Sequence, residues 1–479
     1  MASLQITLKL KMYKPDFKHI KSIIFLAIPI IISNLSRVFM ELADMSMVAA
    51  AKDGSNALAA IGFSSMMLWI LFGMGISLRT STQTVTSRRF GEENFNRCGQ
   101  SLQHGHLIAF LAGVPATLLM YFYTPQILGL LLSQNKILPL SIDYAMFVVP
   151  SIYFNYGSFA FQGFYNGVKM TKIHMKVMVM ANLLNVYLNA GLIYGSDNVV
   201  LFLNKYNLGW LSFLWKIIEF PEMHVKGAGL ATMIASIGMF FMYFAFLFKP
   251  QINTTFKCFK FQIDKTILKK HVILTYPLTI QELCSSVGFF MFFKIIELGG
   301  TLNLAATNVV FRIAHASFMP GVGIGQAAST LIGNYLGEKR IDKATEVIIQ
   351  SVYIVFLSMG TMGALFILFP TSIISVFNIP PELYSLGIPA LQFVGFLQFF
   401  DAFGIMMFFA LTASGDVKFP GIADVVSIWL VFLPIAYITS VKWGMYFWGP
   451  WIAFGIHIVL FAIVTTWRIS TNKWTKIEV

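Results

Sequence analysis

The sequence predicts an all-α integral membrane protein of about twelve transmembrane helices, and three observations carry that prediction. Hydrophobic residues make up 57% of the 479-residue chain and charged residues only 11%, about half the charged share of an ordinary soluble domain. Mean hydropathy is +0.72. The apolar residues gather into runs of about 17–25, the length that crosses a hydrocarbon core as a helix. Short segments of the second half also repeat segments of the first at a spacing of 246–248 residues, the signature of an internal duplication.

The runs follow in order. Ile23–Ala50 comes after a lysine-rich start that is too polar for a signal-peptide core, so the first span is read as retained. Ala57–Leu78, Leu107–Tyr123, Ser141–Phe161 and Val177–Tyr194 are the next four. A long loop, 196–226, precedes the sixth span, Ala228–Phe248; its Trp210, Leu211, Phe213, Leu214 and Trp215 suit a short amphipathic piece at the membrane interface. A basic stretch, 249–271, then separates the first six spans from Val272–Leu298, Leu304–Ile332, Val347–Phe369, Gly387–Leu411, Ile422–Ile438 and Met445–Val464. The expected organisation is an N-lobe over 1–248, an interlobe linker over 249–271 and a C-lobe over 272–479.

Lysine and arginine set the orientation. One side carries Lys9, Lys11, Lys14, Lys18 and Lys21, then Arg88, Arg89 and Arg97, Lys169, Lys172 and Lys176, the 249–270 cluster, Lys339, Arg340 and Lys343, and finally Arg468, Lys473 and Lys476. The other side has scattered Lys52, Lys136, Lys205, Lys216, Lys226 and Lys442. Basic loops stay in the cytoplasm, so both termini are expected there and the 196–226 loop outside, in a multi-pass cell (inner) membrane protein. The net charge of +13 fits this bias and calls for no nucleic-acid partner.

The repeat is read from four ordered pairs. Ala27–Asn34 (AIPIIISN) answers Thr275–Glu282 (TYPLTIQE), and Asn56–Gly62 answers Leu302–Asn308. Gly73–Ser77 answers Gly321–Gly325, and Arg89–Phe95 (RFGEENF) answers Tyr335–Ile341 (YLGEKRI). Six spans per repeat preserve orientation, so the halves are related by an axis along the membrane normal and can rock about a central cavity.

Acids inside apolar spans are costly and mark function by default. Glu41 and Asp44 share one face of the first span at i and i+3. Asn185 and Asn189 share a face of the fifth at i and i+4, where their amides can hydrogen-bond a carboxyl in either protonation state. Asp401 lies mid-span, three residues after Gln398, and Glu282 follows Pro277. Asp424 reads as an extension of the acidic lining or as a helix-end acid, and Arg312 as a counter-charge for a C-lobe acid or a snorkelling side chain. The eight histidines are scattered, Cys98, Cys258 and Cys284 have no metal or redox spacing, and no nucleotide-binding motif is present. No enzyme, cofactor or ATP coupling is expected.

Several segments resemble the multidrug and toxic compound extrusion (MATE) transporters. They are Pro29 with Asp44, the stretch Asn182–Gly195, Val225–Ser236, Ala316–Arg340 (ASFMPGVGIGQAASTLIGNYLGEKR), and Gln398–Gly404 with Ala413–Pro420. The resemblance covers essentially the whole chain in the family's order. It implies two pseudo-symmetric six-helix lobes around a V-shaped cleft, and export driven by inward H+ or Na+ flow. The family's N-lobe cation site corresponds to Asp44, Asn185, Asn189 and Thr232, with Asn189 where an acid is common. Its C-lobe site corresponds to Asp401; Glu282 lies about one turn before the usual seventh-span Glu, near whose place stand Ser285 and Ser286. The expected function is antiport of amphiphilic or cationic organic compounds, coupled to H+, with Na+ at Asp44, Asn185, Asn189 and Thr232 as the alternative ion. The expected partners are those small molecules and the bilayer, with the chain a monomer. A lipid-linked oligosaccharide flippase of the same superfamily is the alternative, though the embedded charges Glu41, Asp44, Glu282, Asp401 and Asp424 outnumber Arg79 and Arg312, and a pyrophosphate cavity should be cationic. The topology predicts that a lone cysteine at Asn198, in a variant lacking the native three, reacts with an impermeant maleimide added outside; labelling only from the cytoplasm would overturn the orientation.

Overall fold

The computed structural model describes residues 17–51, 54–132, 136–377, 380–477 and 479. Lys9, Lys11, Lys14 and Lys52 of the charge argument lie outside those residues, as does the side chain of Lys18. The described residues form twelve long helices and no strand. In the first half these are α1 (Phe17–Ala49), α2 (Gly54–Gly91), α3 (Phe95–Leu131), α4 (Ile137–Gly167, through a 3-10 turn at Pro150), α5 (Thr171–Tyr194) and α6 (His224–Phe246). In the second they are α7 (Lys265–Glu297), α8 (Thr301–Gly337), α9 (Ile341–Leu368), α10 (Tyr384–Ser414), α11 (Lys418–Lys442) and α12 (Trp448–Ser470).

Eleven of the twelve are long and apolar enough to cross a membrane; α8 is not. The reason is its surroundings. α8 packs against α1, α2, α9 and α10, and residues 323–334 are buried without a break. Protein, not lipid, meets its Gln326, Thr330 and Asn334, so the helix need not be apolar all round.

Most helices outrun the apolar stretches that announced them. α3 extends about a dozen residues before Leu107 and continues past Tyr123. Its start is capped by Asn94, whose side chain accepts from the Arg97 N–H at 3.4 Å. α7 begins at Lys265 rather than Val272, because Asp264 caps it by accepting from the N–H groups of Thr266 (2.8 Å) and Ile267 (3.3 Å). The linker before it is strapped to α3: Gln103 donates to the carbonyls of Cys258 (2.8 Å) and Lys260 (2.9 Å). The 196–226 segment holds a helix, Ser196–Lys205, and a short one, Phe213–Lys216. Tyr187 donates to the Leu214 carbonyl at 2.7 Å, tying this excursion to α5, while Trp210 and Ile217 stay exposed.

Four junctions at the end carrying Arg88, Lys169 and Lys339 use one turn. After α2, α4, α8 and α10 the chain passes a positive-φ residue: Glu93, Lys169, Lys339 and Gly415. The next N–H then bonds back five residues, Asn94 to Arg89, Met170 to Tyr165, Arg340 to Tyr335 and Asp416 to Leu411, at 2.8–3.0 Å. This closes the open carbonyls of a helix end. The junctions pair across the repeat, α2 with α8 and α4 with α10.

The lobes meet at this same basic end, and the meeting is two-fold. A Cβ on Gly91 would overlap the Asn334 carbonyl, and one on Gly337 would overlap the Arg88 carbonyl. Under the 246-residue offset that relates RFGEENF to YLGEKRI, these are the same contact made twice. The Thr84 hydroxyl donates to the Thr412 carbonyl, and that of Thr330 to the Asn166 carbonyl, each at 3.0 Å; this too is one bond and its repeat. Ser87 and Gly333 are equivalent to each other and touch directly, so they lie on the pseudo-two-fold axis. Such i-to-j, j-to-i contact defines an isologous interface.

α1 bridges the halves. Its Ile23, Leu26, Ala27 and Ile30 join the core formed by α8, α9 and α10, whereas Val48 joins the core of α2 and α4. The Gly333–Ser87 contact predicts that Gly333→Ser destabilises the native packing by about 1–3 kcal/mol through overpacking. Adding Ser87→Gly should recover most of that, read as thermal unfolding in detergent. Equal stability of Gly333→Ser and the native chain would show that the axis is not close-packed.

Candidate functional site

The sequence-predicted N-lobe residues converge on one cavity of about 420 Å³, walled by α1, α2, α4, α5 and α6. Glu41, Asp44, Asn185, Asn189 and Thr232 all line it. α1 and α5 run parallel, so the polar residues spaced along one meet those spaced along the other. Asn182 donates to Ser36 Oγ at 2.8 Å, Asn189 Nδ2 to Asp44 Oδ1 at 2.5 Å, and Tyr194 to the Met47 carbonyl at 2.5 Å. Bonds of this kind between membrane helices are each worth about 0.6 kcal/mol on average, so three fix a register more than they supply stability.

Around Asp44 the arrangement is asymmetric. Asn189 Nδ2 also donates to Asn185 Oδ1 at 3.0 Å, while Asn189 Oδ1 is buried without a hydrogen-bond partner. Thr232 turns its hydroxyl to the Ala228 carbonyl at 2.9 Å and gives Asp44 no bond. Beside Asp44 itself the pocket therefore offers two amides and a hydroxyl, and Glu41 lines the same cavity one turn away. It can hold a proton on Asp44, with the amide turned so that its free oxygen accepts from the acid.

Two residues unnoticed in the sequence shape the rest of the cavity. Arg37 Nε lies 3.3 Å from Glu41 Oε1, and its guanidinium carbon lies 5.3 Å from the centre of the Trp69 ring. The i,i+4 spacing of Arg37 and Glu41 was the available signal for the ion pair; nothing local pointed to Trp69. Phe72, Phe159, Met178 and Met239 complete an apolar wall, adaptable by its thioethers.

The predicted C-lobe residues do not form one site. Gln398 and Asp401 line a smaller cavity of about 60 Å³ with Phe311, Phe318 and Trp451. Gln398 donates to Ser317 Oγ at 3.0 Å, and Asp401 has no hydrogen-bond or ion-pair partner among the described residues. Glu282 is elsewhere, at the lobe interface: its Cβ lies 3.1 Å from where Gly73 of α2 would carry one. Arg79 of α2 and Asp424 of α11 are the charged groups it faces. Asp424 is no helix-end acid. It sits inside α11 and accepts at Oδ2 from Ser285 Oγ (2.6 Å) and Gln281 Nε2 (3.1 Å). Its Oδ1 lies 3.9 Å from His457 Nε2 of α12. Arg312 is exposed and pairs with no acid among the described residues, so it is not a C-lobe counter-charge.

The MatE family model matches residues 29–190 and, a second time, residues 277–438. A probable multidrug resistance protein NorM of Thermotoga maritima is 24% identical over 475 residues, covering 95% of this chain and 93% of that protein. A probable multidrug resistance protein YoeA of Bacillus subtilis is 22% identical, covering 92% of each. Among solved structures, the outward-facing conformation of a multidrug resistance MATE family transporter superposes with a TM-score of 0.82 at 19% identity, covering 96% of this chain and 97% of that one. A MOP superfamily transporter from Pyrococcus furiosus, whose pocket is described as of reverse polarity, superposes at 0.80 with 20% identity and the same coverage. These structural likenesses establish the shared fold. With the family model matched once in each half, the chain belongs to the MatE family of transporters and is a multi-pass membrane protein.

Proposed function

We propose that the chain is a multidrug exporter, an antiporter that moves amphiphilic organic cations outward against an inward flow of H+ through Asp44, with Na+ as the alternative ion. The observation that carries this is the composition of the N-lobe cavity: a carboxyl held by one turnable amide, beside a second carboxylate and an aromatic face. The names of the relatives NorM and YoeA support the substrate class. The lysine-rich end is the cytoplasmic one in this reading, so a seam closed there corresponds to an outward-facing arrangement of a cell (inner) membrane protein.

The coupling follows from burial. With Asp44 neutral, α1 packs on α5 and α6 without burying a charge. With Asp44 ionised, the same packing costs several kcal/mol more unless water or a cation enters. A cationic solute that favours the ionised pocket then displaces the proton by linkage. Na+ fits less well, because a single carboxylate offsets its dehydration and Asn189 stands where a second acid would help.

Arg37 indicates how the solute is held. Its guanidinium already makes the two contacts that an aromatic cation would make, one to Glu41 and one to the face of Trp69. It is a built-in competitor that the solute must move aside.

Two outcomes follow. In proteoliposomes, an imposed pH gradient without Na+ should drive export of a fluorescent aromatic cation, and Asp44→Asn should lower that rate by about tenfold or more, a loss of at least about 1.4 kcal/mol. Export that needs a Na+ gradient and ignores pH would rule out H+ coupling. Arg37→Gln should tighten binding of the same dye by about two- to fivefold, the worth of one exposed cation–π contact, read as quenching of tryptophan fluorescence. Weaker binding in that variant would mean that Arg37 contacts the solute instead of competing with it.

A further inference from the structure

We propose that the segment after α12, residues 473–477 with Val479, is a strap that holds the two lobes shut at the basic end and must let go of α2 each time that end opens. It rests on the reading that the lobes part there during export. The first ground is the path of the strap. α12 stops at Ser470, and Asn472, at φ 54°, turns the chain back. A short 3-10 turn, Lys473–Lys476, then buries Trp474 in the core that α8, α9 and α10 share with α1. The Trp474 indole N–H donates to the Ile469 carbonyl at 3.0 Å. Ile477 runs extended past the end of α10, and Val479 lies against Gly415, where a Cβ would overlap its side chain. Trp474 thus anchors the strap on the C-lobe.

The second ground is what the strap grips on the N-lobe. Arg88 and Arg89 of α2 are both buried, and a buried guanidinium needs acceptors for its donors. The strap supplies one to each. Arg88 Nη2 donates to the Ile477 carbonyl at 3.2 Å, and Arg89 Nη2 to the main-chain oxygen of Val479 at 2.6 Å. The Ser414 carbonyl (3.3 Å) and Glu92 Oε2 (2.6 Å) take one further donor each. The acceptors on the strap are main-chain oxygens, which water replaces once the seam opens. The grip on α2 is therefore reversible, whereas the buried indole at the other end of the strap has no such substitute.

The third ground is that the two crossings of the seam are unequal. Under the pseudo-two-fold axis, α1 on α8 corresponds to α7 on α2. The first crossing is filled by Ile23, Leu26, Ala27 and Ile30 within a large core. The second is a smaller buried cluster, Val85 of α2 with Ile267, Leu274 and Leu278 of α7, completed by Val417 and Val479. One of the six apolar side chains that close this crossing is thus delivered by the strap. Helices in lipid are held together by close packing and polar bonds. Withdrawing Val479 removes a packed side chain and an arginine acceptor at once, so the α2–α7 crossing is the one that the strap controls.

The test uses the full chain in lipid nanodiscs, with Cys98, Cys258 and Cys284 replaced and nitroxides placed at Asn96 and Asp342. These are exposed positions at the starts of α3 and α9, and they correspond across the repeat. Double electron–electron resonance reads their separation, and so the ratio of molecules open to closed at the basic end. Val479→Lys sets a positive charge beside both arginines, and Trp474→Ala removes the anchor. Each should raise the open-to-closed ratio about threefold or more, the worth of one hydrogen bond. Lys476→Ala, on the exposed side of the strap, should match the native chain. Arg89→Gln should open the seam as well, and its combination with Val479→Lys should be no more open than the more open of the two, because both break one contact. Native distances in both Val479→Lys and Trp474→Ala overturn the proposal, and so do effects of Arg89→Gln and Val479→Lys that simply multiply. An open shift in Val479→Lys, in a chain whose proteoliposomes export no cation, would sustain the strap and sink the export reading. Native distances with normal export would sink the strap and leave that reading standing.

Discussion

The structure depends on a single close approach, that of α2 and α8 at the basic end. In a bilayer, burying apolar side chains between helices gains little, because lipid is as apolar as leucine, and helix pairs are held by backbone proximity and polar bonds. Gly91, Gly333 and Gly337 allow the backbones to touch. Gln83 adds bonds to the Gln326 carbonyl (2.8 Å) and Thr330 (3.0 Å), and Arg88 reaches the carbonyls of Ser414 and Ile477. The hydrogen bonds that join the lobes cluster at this end, whereas each cavity is walled by the helices of one lobe alone.

α1 is the member of the N-lobe that feels both bodies. Its first half lies in the C-lobe core and its second half holds Glu41 and Asp44 in the cavity. Pro29, inside the helix, falls where the two meet; it leaves a backbone bond unmade, and Ser33 donates to its carbonyl at 2.8 Å. A change in how Asp44 packs against α5 is therefore transmitted along a helix whose other end is fixed to the partner lobe.

Much of this was legible in the sequence. Hydropathy and the 246–248 spacing specify long helices and two pseudo-symmetric halves, because lipid demands long apolar runs and duplication copies short motifs intact. Glu41, Asp44, Asn185 and Asn189 were legible as a site because each pair is local, at i,i+3 or i,i+4, and because acids in apolar runs are conspicuous. Asp424 and His457 were not. They stand on different helices, and their other partner, Gln281, lies 143 residues earlier in the chain, so no spacing connects them. Glu282 was grouped with Asp401 by resemblance, yet faces α2 and Asp424. α8 was read as an ordinary span, although its contacts with four helices free it from the need to be lipid-like.

Ser87 and Gly333 carry one more consequence. Equivalent positions that touch across a two-fold axis compete for the same volume. Two serines would collide there, and two glycines would leave a gap in the tightest part of the seam. One side chain facing one hydrogen atom fills it. A protein with two identical halves, whether fused or assembled from separate copies, could not build this contact as it stands. At that point the duplicated halves are complementary because they differ, and the difference is a packing requirement of the symmetry itself.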